Sequence, residues 1–412
     1  KGFYCYGCNL SSIDFSNFVN LNQIEIHGCQ NLQRVDLSNN INLNDITISN
    51  CSLDSLDISN IPTMGVQSNL DVRNNGMVFL DLRNGEYHNI QGSFYAYGNN
   101  LSCVNVSLIG VANYNTNNPP YGMNGVVFSP DCSKFVWMGT SGTDWSNGAN
   151  WLRGIVPTSN DNVLIPNVST TSNNYPVLNS TSQIDSLFIE DGASLTVNQG
   201  TTKLDVSYIS LASGATINIS DGEFECAGKF DHDGNLTMSG GVLDINGEYE
   251  SSNTATENIS DGTIYVAGEW DADEDDAFTP TGGTVVLDGV LIGTKLKFNS
   301  SSNLFNLRLR NSPPQGLNGN IGSIIALDTV LILNDFTIDS GSSIRFEQSN
   351  LIINGDFTID KGQFFLDGGI IDINGNVTVH STLSVPFGQV GHFLNFNLSN
   401  GAIANISQDS IN

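Results

Sequence analysis

Two repeats in series constrain this chain more than any other feature. From Asn9 to about residue 106 the pattern Asn-Leu-x-x-Φ-x-Φ, with Φ apolar, returns every eleven residues. Its clearest units are Asn9-Leu10 with Ile13 and Phe15, Asn20-Leu21 with Ile24 and Ile26, Asn31-Leu32 with Val35 and Leu37, and Asn42-Leu43 with Ile46 and Ile48. Ser52-Leu53 with Leu56 and Ile58 follows at a spacing of ten, and looser units run on through Leu70/Val72, Leu80/Leu82 and Val104/Val106. Each Φ-x-Φ alternates, so it makes a short strand with two inward side chains and one outward. Two such strands give a coil of about 22 residues. A coil of this kind buries its apolar face only against its neighbours, which is the definition of a solenoid.

The second repeat occupies residues 190 to 380 with a period near 20. Six segments align without gaps: Gly222–Phe230, Gly241–Tyr249, Gly262–Trp270, Gly283–Leu291, Ser349–Phe357 and Gly369–Val377. Their inward pairs are Phe224/Cys226, Leu243/Ile245, Ile264/Val266, Val285/Leu287, Leu351/Ile353 and Ile371/Ile373. Each segment carries one glycine at the same place, at positions 228, 247, 268, 289, 355 and 375. Such a glycine supplies positive φ or a close backbone approach at a corner. Parallel strands stacked this way form a β-helix. The fold class is therefore all-β, a leucine-rich solenoid followed by a parallel β-helix, with almost no long helix.

Composition narrows the function classes. With 39% hydrophobic and 14% charged residues the chain is no disordered polyelectrolyte. Its net charge of −28 opposes nucleic acid and anionic lipid and tolerates divalent cations. No apolar run reaches the roughly 20 residues that span a bilayer, so direct membrane insertion is not expected. The start at Lys1 reads as a trimmed end, and the last residues still read as repeat, so further chain is expected on both sides. Six of seven cysteines, Cys5, Cys8, Cys29, Cys51, Cys103 and Cys132, lie in the first third, which points to an oxidising compartment. Their spacing fits no zinc signature. Cys8, Cys29 and Cys51 fall 21 and 22 residues apart and should stack in one column, either within disulfide range or as small buried thiols.

Several residue sets are candidates for chemistry. Asp14, Asp36, Asp57 and Asp81 occupy the outward position of every second strand, so they form either a Ca²⁺ or cationic-ligand stripe or a solvated face that resists aggregation. Asp271, Asp273 and Asp275 lie in an acidic turn reminiscent of a calcium loop but lack its ligand spacing. Trp137, Trp145 and Trp151 cluster as a carbohydrate-stacking platform or as a seal on a solenoid end. The five histidines show neither metal nor triad spacing, and the basic residues of the second repeat are few and scattered, although Arg308 and Arg310 form a close pair. A polysaccharide lyase needs basic groups beside acids or Ca²⁺, so no catalytic residue and no cofactor is assigned, with Ca²⁺ the one ion considered.

The eleven-residue spacing resembles the short leucine-rich repeats common in surface proteins of Bacteroidetes. The stretch Leu101-Ser-Cys-Val-Asn-Val106, ending in Phe128-Ser-Pro-Asp-Cys132, looks like the closing cap of such arrays, and this resemblance pairs Cys103 with Cys132. The Trp-rich phrase from Val136 to Pro166, with Gly192-Ala-Ser-Leu-Thr-Val197 after it, resembles the opening segment of β-helical surface proteins of the same group. The resemblance implies export by type IX secretion and an extracellular or outer-surface location. It also implies O-glycosylation at Asp-(Ser/Thr)-apolar triplets, here at Ser55, Ser186, Thr329 and Ser410. The domains read as 1–133, a leucine-rich solenoid with a disulfide cap; 134–180, a Trp-rich junction and opening cap; and 181–412, the β-helix. The function expected is a non-enzymatic adhesin, stalk or filament subunit. Its partners are its own copies or further domains, and surface polysaccharide. A cluster of acids and bases in one groove would favour a carbohydrate-active β-helix enzyme instead. An aromatic-lined concave face on residues 9–106 would favour a leucine-rich ligand-binding receptor.

Overall fold

The computed structural model describes residues 1–62, 68–83, 94–107, 123, 126–272, 278–289, 295–297, 302–310, 322–324, 329–339, 342–347, 350–360, 363–367, 371–380, 397–398 and 404–406. These residues contain strands, turns and a single 3-10 turn, Gly148–Asn150, and no α-helix. The chain divides into two units, Lys1–Val136 and Trp137–Asn412. Among the described residues the strand ladders of known register are parallel, which makes the protein an all-β parallel solenoid, as the alternation of apolar residues predicts.

The first unit is built on β1 (Gly2–Tyr6), β2 (Ser12–Asp14), β3 (Gln23–His27), β4 (Arg34–Asp36), β5 (Asp45–Ser49), β6 (Ser55–Asp57), β7 (Asn69–Asp71), β8 (Phe79–Asp81), β9 (Phe94–Tyr95), β10 (Cys103–Asn105) and β11 (Val127–Ser129). One sheet runs β1-β3-β5-β7-β9, a second β11-β10-β8-β6, and β2 pairs β4. Ile24/Ile26, Ile46/Ile48 and Leu70/Val72 stack inward and are fully buried, and Leu32, Leu43 and Leu53 fill the turns beneath them. Each such side chain contributes about 1.5–3 kcal/mol. Coil length is not constant. Tyr4 pairs Glu25 and Ile24 pairs Ile46, but Ile46 pairs Leu70 and Leu70 pairs Phe94, so the coil grows from 21 and 22 residues to 24.

The cysteine column continues as asparagine. The Cys8 amide donates to Cys29 Sγ (3.0 Å), Cys29 to Cys51 Sγ (3.4 Å), Cys51 to Asn75 Oδ1 (3.2 Å) and Asn75 to Asn99 Oδ1 (3.2 Å). The Asn75 and Asn99 amide groups then donate to carbonyls of the preceding turns. Corner backbone groups turned away from water need such partners. Cys29 and Cys51 are free and buried, whereas Cys8 is disulfide-bonded to Cys5, so the column is only partly a row of thiols. Cys103 and Cys132 are joined, with Cα atoms 5.8 Å apart.

In the second unit the inward column Phe224, Leu243, Ile264, Val285 stacks as the alignment predicts. It then departs from the alignment. The next rungs are Leu307, Phe336, Phe357 and Val377, while Leu351/Ile353 and Ile371/Ile373 stack in a separate five-stranded sheet that begins at Asn303. Both sets alternate identically, and strand periodicity cannot say which side of a coil a segment occupies. Cys226 is inward, and burial pushes its thiol up to about 12.

Two columns of glycine serve the coils. Gly222, Gly241, Gly262 and Gly283 take positive φ (81°, 71°, 105° and 79°), three of them inside the 11-residue strands Thr216–Cys226, Asn235–Ile245 and Thr256–Val266, and a Cβ there would also crowd a carbonyl oxygen of the coil before. Gly228, Gly247, Gly268 and Gly289 serve close approach alone: a Cβ there would strike the carbonyl oxygen of Ser207, Gly228, Gly247 and Ala267. Replacing Gly268 by Ala should cost about 1–3 kcal/mol, because the obstacle is backbone and cannot rotate away. A urea midpoint unchanged in Gly268→Ala would refute the close approach.

Candidate functional site

The stripe of carboxylates divides, with Asp14 beside Asp36 and Asp57 beside Asp81. Each folds back on its own turn and accepts the amide two residues on: Ser16, Ser38, Ser59 and Arg83, at 2.8–3.0 Å. The Ser16 hydroxyl and amide hold Asp14 below the usual carboxylate range. Asp81 is buried and held by Arg83 (2.6 Å) and by the Asn105 side chain (3.2 Å). These are turn-forming Asx bonds. Among the described residues the four carboxylates do not converge on a common point that could hold a cation. Asp271 lies in the strand Trp270–Ala272, and Asp273 and Asp275 lie outside the described residues.

Trp137, Trp145 and Trp151 are buried to 2% exposure or less, with ring centroids 4.8–6.5 Å apart. The Trp137 indole donates to the Asn174 carbonyl and the Trp151 indole to that of Trp145. Packed this way, their faces are closed to a sugar. Of the glycosylation candidates, Ser55 is exposed and Ser186 half-buried against Asp185. Thr329 opens the strand Thr329–Ile332 with its side chain outside the described residues, and Ser410 also lies outside them. Arg308 and Arg310 share Asp339, at 2.9 and 3.5 Å.

Two sets of side chains that the sequence did not single out do converge. The first is the outward face of the β1-β3-β5-β7-β9 sheet. Tyr4, Glu25, Thr47, Asp71 and Tyr95 form one row across it, and Tyr6, His27 and Ser49 a second. Tyr4 and Tyr6 are 54% and 62% exposed. Tyr4 donates to Gln23 (2.9 Å), and Tyr6 donates to Glu25 (2.6 Å) while stacking on His27. The hydrogen bond to Glu25 raises the Tyr6 phenol above its usual value. Gln23 and Asn69 both donate to Asp45 at 3.0 Å. At the far edge Arg73 pairs with Asp71 (2.7 Å), donates to the Tyr97 hydroxyl (2.9 Å) and lies 5.4 Å from the Tyr95 ring centre. The face is thus aromatic at both edges and amide- and carboxylate-rich between, over four strand spacings of about 4.8 Å each. Its hydrogen bonds fix the side chains before any ligand arrives.

The second set is an acidic face on the second unit. Asp205, Glu225 and Asp244 are outward neighbours on successive coils, with Lys203 and Glu223 beside them. Lys203 bonds Glu225 and lies 2.9 Å from Glu223 and 3.4 Å from Asp205. Oxygens of Glu223, Glu225 and Asp244 all lie within 4.8 Å of one another. The hydrogen bond from Lys203 lowers Glu225, whereas burial, with Asp288 and Glu225 adding repulsion, pushes Asp244 up to about 6. The only sequence signal was acidic residues at the x of Φ-x-Φ, which every solvated strand shares.

The sign of the Asp244 shift fixes a prediction. A carboxyl raised from 3.8 to about 6 on folding is penalised when ionised in the fold, so its contribution to stability is present below 3.8 and lost as pH rises through about 6. Asp244→Asn should flatten the dependence of stability on pH across that window, read by urea denaturation at a series of pH values. An unaltered slope would refute the burial.

Residues 136–224 match the model of a family described as a domain of unknown function (DUF8693). The match takes in the tryptophan cluster, Lys203, Asp205 and Glu223, and stops before Glu225 and Asp244. No curated protein and no solved structure matches the chain.

Proposed function

We propose that this is a non-enzymatic, extracellular or outer-surface adhesive protein whose first solenoid binds polysaccharide on the outward face of β1-β3-β5-β7-β9. The observation that carries the reading is the placing of exposed Tyr4 and Tyr6 at one edge, and of the Arg73, Tyr95 and Tyr97 group at the other, around a fixed polar centre. Tyrosine offers an apolar ring for the C–H face of a sugar and a hydroxyl for its polar rim. Gln23, Asp45, Thr47 and Asn69 offer acceptors and donors for sugar hydroxyls.

The ladder through Cys29, Cys51, Asn75 and Asn99 supports the leucine-rich reading, because that consensus places Asn or Cys at this point of each coil. Two disulfides support an oxidising setting; the Bacteroidetes surface type and type IX secretion as the route rest on the resemblance of the repeat and junction segments alone. No helix among the described residues is long and apolar enough to cross a membrane. Coil edges that pair other chains make self-association or docking on further domains the second mode of contact.

Neutral and acidic polysaccharides immobilised on a sensor test the reading. Tyr4→Ala and Tyr6→Ala should each weaken binding about fivefold, near 1 kcal/mol per lost ring. Binding unchanged by both substitutions defeats it. The acidic face favours one other reading, a carbohydrate-active enzyme, since Glu225 and Asp244 are a close carboxylate pair with shifts of opposite sign. Release of reducing sugars, abolished by Asp244→Asn, would establish that reading instead.

A further inference from the structure

The first two coils carry three cysteines whose positions permit more than one covalent state. Sulfur atoms of Cys5, Cys8 and Cys29 all lie within 4.8 Å of one another. Cys5 and Cys8 are bonded and half-buried, while Cys29 is a free thiol with no exposure. The Cys8 amide donates to Cys29 Sγ at 3.0 Å, which seats that sulfur against the disulfide. Cys8 and Cys29 occupy equivalent places on successive coils, and adjacent coils stand about 4.8 Å apart, inside the Cα range that disulfides accept.

We propose that Cys5, Cys8 and Cys29 form a disulfide-exchange site, in which the Cys29 thiol resolves the Cys5–Cys8 bond into a Cys8–Cys29 bond. When the first coil opens locally, the Cys29 thiol loses its proton to hydroxide, and the thiolate attacks Sγ of Cys8. The Cys8–Cys29 bond forms as the Cys5–Cys8 bond breaks, and Cys5 leaves as a thiolate that takes up a proton. Electrons balance without an external oxidant or reductant, because the step is an isomerisation.

The fold accommodates both states. Cys5 sits in register with Ile26, itself stacked on Ile48, so a freed Cys5 thiol occupies the inward apolar column as a small hydrophobe. Cys51 lies one coil further on, bonded through its sulfur to the Cys29 amide at 3.4 Å, and stays free in both states. The consequence is mechanical. The Cys5–Cys8 bond spans three residues within one coil, whereas the Cys8–Cys29 bond spans 21 and staples the first coil to the second. The face bearing Tyr4 and Tyr6 is then loosely or firmly tied to the strand beneath it.

Peptide mapping without reduction tests this on the full chain. The protein is equilibrated in glutathione buffers of graded redox poise at mildly alkaline pH, quenched with acid, alkylated and digested. A Cys8–Cys29 peptide that grows to a plateau, matched by alkylated Cys5, is the expected result. Cys29→Ser should abolish that linkage and leave Cys5–Cys8, and Cys51→Ser should leave both. Cys5→Ser, which removes the competing bond, should give Cys8–Cys29 alone. Cys29 recovered as a free thiol at every poise, in the unmodified chain and in Cys5→Ser, overturns the proposal.

Discussion

Glu257→Leu should destabilise the second unit by about 3–5 kcal/mol, the usual cost of leaving one member of a buried charged or polar pair without its partner. Glu257 stands at an inward position, on a column whose other members include Ile217 and Leu236. His232 stands at another inward position, in register with Leu211. The two meet inside the solenoid, with His232 Nε2 3.3 Å from Glu257 Oε1 and side-chain exposures of 0% and 1%. The Tyr249 hydroxyl donates to the same carboxyl oxygen at 2.8 Å. Neither ring nitrogen of His232 completes a hydrogen bond among the described residues, and the Glu257 carboxyl is the acidic group that faces it. Removing Glu257 takes away the acceptor of the Tyr249 hydroxyl and the carboxyl facing the imidazole in an apolar interior. The triple substitution His232→Leu, Glu257→Leu and Tyr249→Phe removes the three groups together and should recover most of the loss. All four tryptophans lie in the second unit, so urea unfolding followed by tryptophan fluorescence reports on it alone. A loss under about 1 kcal/mol for Glu257→Leu would mean that water reaches the carboxyl.

Breaking the Cys103–Cys132 bond should cost the first unit about 4 kcal/mol, from the entropy of a loop whose ends are 29 residues apart. The bond ties β10 to the turn after β11, where Val104 and Phe128 are buried and in register. The Cys132 amide also donates to Asn105 Oδ1 at 2.9 Å, so the cap is held by side chain as well as by sulfur. Cys103→Ser with Cys132→Ser should therefore lower the unfolding midpoint of the first unit and leave that of the second in place. Tryptophan follows the second unit, whose tyrosines are Tyr175, Tyr208, Tyr249 and Tyr265, so the tyrosine transition that does not coincide with the tryptophan one follows the first. An unshifted tyrosine transition would show that the apolar contacts of the cap suffice without the bond.

Sequence alone was enough to define the periods, the inward pairs and the parallel all-β class. Alternation is local, and an inward residue must be apolar whichever coil lies beneath it. That is why Ile24/Ile26 and Phe224/Cys226 were legible. The pairing of Cys103 with Cys132 came from resemblance to a capping segment, and spacing alone did not give it. The carboxylate stripe was read as outward and aligned, but its side chains turn onto their own backbone amides, an event of local geometry that a repeat pattern does not encode.

Stacking decided the rest. Changes in turn length move a strand around the coil without altering its alternation, so Leu351/Ile353 and Ile371/Ile373 joined a different sheet from Val285/Leu287. Coil growth from 22 to 24 residues keeps Tyr95 in register with Asp71, which brings Tyr4, Tyr6, Tyr95 and Tyr97 onto one face although the chain separates them widely. Contacts across the interior, such as His232 with Glu257, join columns that belong to different sides of the coil. A repeat tells each residue whether it points in or out. Which residue it then meets depends on where the corners fall, and the corners are set by the three-dimensional packing of all the coils together.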